Sequence, residues 1–247
     1  MSAPAKLWSA KASTTLPIAL ARLHHDTRVG DQLRIVVTAV PKAWSEDRVA
    51  LVVRGGGFDI GDVAIVRDRT EVVATRARTL ADTAGRGMRM LIIGLNPSWY
   101  SADAEVGYAR PGNRYWPALI GAGLVDARND RNAFATLDRH RIGMTDFVKR
   151  PSPGIDEVTP TEFREGAERV RALVEWLRPA IVCVVGLAGY RTAVDRKAVA
   201  GVQPVAFGGR PVYVTPSTSG RNASSLLPAL IEHFRAANAL ADRQMRT

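Results

Sequence analysis

The sharpest change between apolar and polar positions in the chain falls at Met90-Leu91-Ile92-Ile93, which is followed at once by Gly94-Leu95-Asn96-Pro97-Ser98. An unbroken apolar run of that length predicts a strand buried on both faces of a parallel sheet. The Gly and Asn-Pro after it predict a turn. Downstream, residues 98–112 read as a long polar loop and residues 115–122 as a helix. Residues 141–147 lead into the loop from Lys149 to Gly154. The spacing of Phe163, Ala167, Val170, Leu173, Val174 and Leu177 predicts an amphipathic helix over 161–177, opened by a Thr-Pro-Thr-Glu start signal. A strand over 181–185, a helix over 188–195, a strand over 212–214 and a last helix over about 224–239 complete the pattern. Alternating β and α units of this kind predict an α/β fold, a three-layer α/β/α sandwich around a central, mostly parallel sheet.

The first 85 residues have a different rhythm and read as a small α+β unit, with residues 86–247 as the second domain. Leu16, Ala19, Leu20 and Leu23 share a helical face within 15–25, and residues 32–40 predict a strand. Residues 47–53 fit helix or strand, and Gly55-Gly56-Gly57 breaks the chain. Residues 63–67 and 71–75 predict a hairpin. Residues 81–87 read as a polar linker. The order of these elements resembles the end of a class I methyltransferase fold, without the Gly-rich loop that cofactor binding requires.

Composition narrows the function. The net charge is +10, and 29 of the 34 basic residues are Arg. Arg grips phosphate with a bidentate fork, so a nucleic-acid partner fits. The single cysteine, Cys183, sits in an apolar run and reads as a buried structural thiol; it excludes an internal disulfide. The four histidines lack ligand spacing, so no metal site is expected. Without an apolar run of membrane-spanning length or a signal-peptide core at the start, the expectation is a cytoplasmic protein.

Candidate chemistry concentrates in three loops, each beside a predicted strand. The first comprises Gly94-Leu95-Asn96-Pro97 and Tyr108-Ala109-Arg110-Pro111-Gly112-Asn113-Arg114-Tyr115-Trp116. The second is Gly143-Met144-Thr145-Asp146-Phe147-Val148-Lys149-Arg150, and the third Pro216-Ser217-Thr218-Ser219-Gly220-Arg221-Asn222. Ligands of open α/β sheets bind outside the carboxyl ends of strands, where Asn96 stands. On its local sequence alone Asn96 also fits a plain turn residue.

In order and spacing these loops resemble the mismatch-specific uracil-DNA glycosylase and thymine-DNA glycosylase family. That family carries Gly-Ile-Asn-Pro-Gly, then Pro-Gly-Asn-His/Arg-Phe-Trp, then Gly-Val/Phe-Thr, and late in the chain Pro-Ser-Ser-Ser-Ala-Arg or Asn-Pro-Ser-Gly-Leu-Ser. Glu162-Phe163-Arg164-Glu165-Gly166 matches a further stretch of the thymine-directed branch. The resemblance covers about residues 88–237 and leaves the N-terminal unit outside it.

The resemblance implies a monofunctional DNA glycosylase of base excision repair that takes uracil, with thymine or related damaged pyrimidines as further substrates, mispaired with guanine out of double-stranded DNA, without cofactor or metal, as a monomer. It implies a water-positioning role for Asn96 and a pocket from Leu95, Ser101, Tyr108, Asn113 and Asp146, with the extruded pyrimidine stacked on Tyr108. Lys149, Arg150, Ser217, Ser219, Gly220, Arg221 and Asn222 would contact DNA, Arg221 by filling the gap the base leaves. Capping of the last helix is the competing role for Ser219.

Four positions depart from the family pattern. Ser98 replaces a Gly, Trp99-Tyr100 replaces smaller residues, and Asp146 stands where relatives carry Asn or Lys. Bulk at Trp99 and Tyr100 is expected to shrink the pocket against the thymine methyl, which puts uracil first. Asp146 is expected to tune the pocket or pair with an Arg. The alternative reading is a catalytically silent damage sensor on the same fold.

Overall fold

The computed structural model describes residues 6–126, 131–221 and 225–246. Its first unit contains β1 (Lys6–Lys11), α1 (Leu16–His25), β2 (Gln32–Thr38), α2 (Glu46–Gly55), β3 (Phe58–Val66) and β4 (Arg69–Arg76). The strands form one sheet in the order β1-β2-β4-β3, with β1 parallel to β2 and the other pairs antiparallel. The ambiguous stretch around residue 50 is helical. Ser45 accepts the Arg48 amide as an N-cap, and Glu46 and Asp47 place negative charge in the first turn. Leu16, Leu20 and Leu23 of α1 pack with Ile35, Val49, Val53 and Phe58 in the unit's own core.

The second unit holds β5 (Met90–Gly94), β6 (Ile142–Asp146), β7 (Ile181–Val185), β8 (Gly201–Val202) and β9 (Val212–Thr215). Its helices are α3 (Trp99–Ala104), α4 (Tyr115–Gly121), α5 (Ala133–His140), α6 (Pro160–Leu177), α7 (Leu187–Ala193) and α8 (Leu227–Arg246). The sheet order is β6-β5-β7-β9-β8. The first four strands are parallel, while β8 runs antiparallel to β9, so this α/β sheet is not strictly parallel. Successive side chains of a strand point to opposite faces. Leu91, Ile93, Val182 and Val184 therefore pack with Phe163, Val170 and Val174 of α6 and Tyr190 of α7. Met90, Ile92, Ile181 and Cys183 pack with Tyr115 and Trp116 of α4 and Leu230 and Phe234 of α8. Burial on both faces explains why these strands read as continuous apolar runs.

The structure revises three expectations. Residues 81–87 are not a free linker: Asp82, Thr83 and Ala84 are buried, and Thr83 exchanges two backbone hydrogen bonds with Met144. Residues 98–112 contain α3, which Ser98 caps by accepting the Ser101 amide. The last helix begins at Leu227, so Ser219 is not its cap. The two units also share an interface. Trp44 meets Trp176 edge-on at 4.7 Å between centroids, and Arg48 donates to the Ala172 carbonyl at 3.1 Å.

Candidate active site

A cleft of about 1060 Å³ opens at the carboxyl ends of β5 and β6, and its lining includes Asn96, Tyr108, Asp146, Ser152, Ser219 and Arg221. The loops after the two strands are zipped together. Phe147, Val148 and Ser152 donate their amides to the carbonyls of Gly94, Leu95 and Pro97 at 2.9, 2.9 and 3.1 Å. Leu95 points its side chain at Gly186 and Gly189, where any Cβ would collide with it.

Asn96 is half-buried. Its Nδ2 donates to Ser152 Oγ at 2.8 Å, to the Pro97 carbonyl at 3.2 Å and to the Arg150 carbonyl at 3.4 Å. Ser152 Oγ in turn donates to the Gly154 carbonyl at 2.6 Å. With its proton so committed, the Ser152 hydroxyl offers Asn96 only lone pairs. Three acceptors thus surround Nδ2, and the reversed amide would set oxygen against oxygen. Oδ1 is left as an acceptor with no protein donor among the described residues. Nothing in the local sequence marked Ser152; only the return of its loop to Asn96 reveals it.

Tyr108 sits at φ 58, and its ring stacks on Tyr115 with centroids 3.8 Å apart and planes 16° apart. Tyr115 is fully buried and edge-on to Trp116 and Phe234, so Tyr108 rests on a rigid aromatic base. Trp116 Nε1 donates to the Gly107 carbonyl at 2.9 Å, and Ser101 Oγ accepts the Ala109 amide at 3.3 Å. Ser101, buried on the cleft wall, therefore holds the Tyr108 loop in place. Asn113 Oδ1 accepts the Tyr115 amide at 3.0 Å, a bracing role at the start of α4. A Cβ on Gly94 would collide with the Asp146 carboxylate and stand 3.0 Å from the Tyr108 hydroxyl, so glycine makes room for both.

The third loop closes the cleft's far side. Arg114 donates to the carbonyls of Ser225 and Ser219 at 2.6 and 2.7 Å, and its amide donates to the Thr218 carbonyl. A Cβ on Gly220 would stand 2.9 Å from the Gly112 carbonyl, so this loop presses on the Pro111-Gly112 turn. Ser217 Oγ accepts the Ser219 amide and Ser219 Oγ the Arg221 amide, both at 3.3 Å. The Arg221 guanidinium reaches across to the β6 loop, with one nitrogen 3.5 Å from where a Gly154 Cβ would be. Asn222 lies outside the described residues.

Two expected DNA contacts have other work. Lys149 is nearly buried, and its Nζ donates to Asp82 Oδ1 at 2.8 Å. Arg150 binds Glu162 with both arms of its fork, at 2.7 and 3.0 Å, and donates to the Glu157 carbonyl at 2.8 Å. Asp82 anchors a network beneath the site. Arg169 Nη1 donates to its Oδ2 at 2.6 Å and Thr145 Oγ1 to its Oδ1 at 2.6 Å, while Arg169 Nη2 donates to the Asp146 carbonyl at 2.6 Å. Burial works to raise the Asp82 carboxyl, but the charges of Arg169 and Lys149 hold it below the ordinary range. The Asp146 carboxylate itself has no Arg partner among the described residues; Arg169 reaches only its backbone carbonyl. Burial pushes its carboxyl up to about 6.

Trp99 and Tyr100 do not narrow the pocket. Both are exposed and neither lines the cleft; Arg78 lies over the Trp99 ring at 4.6 Å. The N-terminal unit, by contrast, reaches the cleft through Arg22 and His25 of α1.

A neutral amide with a free oxygen, an aromatic shelf and a polar floor at strand ends can hold a planar heterocycle and aim one water at it. Residues 82–241 match the family model described as the uracil DNA glycosylase superfamily. The match spans every element that builds the cleft's chemistry, and the chain belongs to the uracil DNA glycosylase superfamily, hydrolases that release bases from DNA.

Proposed function

We propose that the protein is a monofunctional DNA glycosylase that removes uracil mispaired with guanine from double-stranded DNA, by base flipping and an Asn96-positioned water, as a step of base excision repair. The observation that carries this reading is the fixed Asn96 amide at the cleft wall, with Nδ2 held by Ser152, Pro97 and Arg150 and Oδ1 left without a protein donor among the described residues.

In this reading the uracil leaves the stack and lies against Tyr108. The water hydrogen-bonds to Asn96 Oδ1 and its oxygen bonds to the deoxyribose C1′ as the C1′–N1 bond breaks. The electron pair of that bond leaves with the base. The water's extra proton passes to solvent, because a neutral amide is a poor base. Chemistry of this kind is slow and depends on a base that flips cheaply, which favours mismatched uracil over paired bases. Arg221, whose side chain spans the cleft mouth, is long enough to fill the vacated stack. The net charge of +10 supports a DNA partner. Monomeric action in the cytoplasm completes the proposal.

The test is single-turnover release from duplexes carrying uracil, thymine, hypoxanthine or ethenocytosine opposite each base. Uracil opposite guanine is expected to be released fastest. Asn96→Ala is expected to abolish release while leaving duplex binding intact. Release by that variant at the wild-type rate would overturn the assignment, and lesion binding by the wild type without any release would favour a silent sensor.

A further inference from the structure

Trp99 and Tyr100 stand beside Asn96, and the water-positioning step uses neither. Both open α3, the helix that follows Asn96, Pro97 and Ser98 directly. Pro97 is buried and Ser98 caps α3 by accepting the Ser101 amide at 3.2 Å, so the start of the helix is fixed next to the site. Ser101, Asp103 and Ala104 of the same helix line the cleft. Trp99 lies one turn before Asp103 and shares its side of the helix, which puts the indole at the cleft rim. Trp99 is nevertheless 39% exposed and Tyr100 53%. Two adjacent aromatic rings left in water forgo a large burial energy.

The indole is also held in place before any ligand arrives. The Arg78 guanidinium lies over its ring at 4.6 Å, and Asp103 accepts from Arg78 Nε at 2.6 Å and from Nη2 at 2.7 Å. Carboxylate, guanidinium and indole thus form a braced stack. A side chain ordered in advance loses little entropy when a ligand settles on it. Arg78 precedes the superfamily match, which begins at residue 82, so the brace comes from the N-terminal side of the chain.

We propose that Trp99 and Tyr100 form a stacking platform for unpaired DNA bases, and that the protein uses it to hold the base next to the flipped nucleotide on the same strand. The platform is continuous with the cleft through α3, so a strand that delivers one nucleotide to Asn96 passes over it. Aromatic faces stack on every base alike, and a guanidinium plane such as that of Arg78 extends the same surface. Extruding one nucleotide unstacks its neighbour, and a ring at the rim offsets that loss. The proposal goes beyond the glycosylase reading and rests on it only in that the DNA strand enters this cleft.

The probes are a fluorescent oligothymidine strand of about 12 nucleotides, within the usual site size of single-strand binders, and a fully paired duplex of the same length without uracil. Binding of the full chain to each is followed by anisotropy at fixed salt. Trp99→Ala is expected to weaken single-strand binding by about 5-fold to 100-fold, the range for one lost stacked base, and duplex binding by less than about 2-fold. Tyr100→Ala should act in the same direction. Trp99→Leu, which keeps apolar bulk but has no π-face, should bind as poorly as Trp99→Ala, whereas Trp99→Phe should restore most of the affinity. Both side chains are exposed, so the melting temperatures of the Tyr100 variants should match the wild type and report intact folding. Absence of single-strand binding by the wild type would overturn the proposal. So would wild-type affinity in both alanine variants, an equal loss on strand and duplex, or rescue by leucine, which would mark an apolar contact such as a protein partner makes. None of these probes carries uracil. Failure to release uracil from a mismatched duplex would therefore count against the glycosylase reading alone, and the binding ratios would still judge the platform.

Discussion

Replacing Ser152 by alanine isolates the orientation of the Asn96 amide from its presence. In the intact site Nδ2 has its shortest acceptor in Ser152 Oγ at 2.8 Å, with the Pro97 and Arg150 carbonyls farther away at 3.2 and 3.4 Å. Removing the hydroxyl takes away the strongest of the three bonds and leaves two carbonyls to oppose the reversed amide. One neutral hydrogen bond is worth about 0.5–1.5 kcal/mol net, which corresponds to roughly a 2-fold to 12-fold loss of correctly oriented amide. Single-turnover uracil release should slow by that factor. Duplex affinity should not change, because Ser152 is buried and is given no contact with DNA. The melting transition should fall slightly, since the Gly154 carbonyl also loses its donor. Release at the full wild-type rate would refute the orienting role. A loss beyond a thousandfold would refute it as well, because one neutral hydrogen bond behind Asn96 cannot account for so large an effect.

The buried network supports a second prediction. Asp82→Ala leaves Arg169 and Lys149 without their counter-charge and should cost about 3–5 kcal/mol in urea unfolding. Gly94→Ala drives a methyl into the Asp146 carboxylate and toward the Tyr108 hydroxyl; it should destabilise by about 1–3 kcal/mol and impair base release more than duplex binding. Arg221→Ala should release abasic product faster while leaving the melting temperature unchanged, and equal product retention would remove the gap-filling role. Burial and the nearby Arg76 charge lower His24 from 6.5 to about 3 in the folded protein, so its stabilising contribution is full above pH 6.5 and is lost as pH falls toward 3, at up to about 1.4 kcal/mol per unit. Asp146, raised to about 6, has the opposite sign and gains as pH falls from 6 to 4, so His24→Gln should turn a falling stability profile into a flat or rising one.

The parts of this fold that the sequence reveals are those that periodicity controls. β5, β7 and α6 are legible because strands buried on both faces and a helix with one apolar side leave unmistakable patterns. β8 has two residues and α3 six, too short for any period to register. Residues 81–87 look like a linker because Asp82 and Thr83 are polar, and their burial depends on Arg169, which lies far along the chain. The same limit applies to the site. Asn96, Tyr108 and Arg221 stand in recognisable strings, whereas Ser152 and Arg114 act through partners dozens of residues away. A loop lysine such as Lys149 has no local mark that distinguishes a phosphate contact from a buried ion pair.

The first 81 residues lie outside the superfamily match, yet they belong to the frame that holds Asn96. The Gly55 carbonyl at the end of α2 accepts the Asp82 amide at 2.8 Å, and a Cβ on Gly55 would strike the Asp82 carboxylate and come within 2.8 Å of the Arg169 guanidinium. Arg169 then holds the Asp146 carbonyl, and Thr79 donates to the carbonyl of Lys149, one residue before the Arg150 carbonyl that faces Asn96. The loop that carries Ser152 is thus gripped from beneath by residues of both units. A water-positioning amide works only if its orientation holds to within a fraction of an ångström, and rigidity of that kind comes from the groups behind the amide rather than from the amide itself. The N-terminal unit supplies part of that backing and, through Arg22 and His25, part of the cleft wall as well.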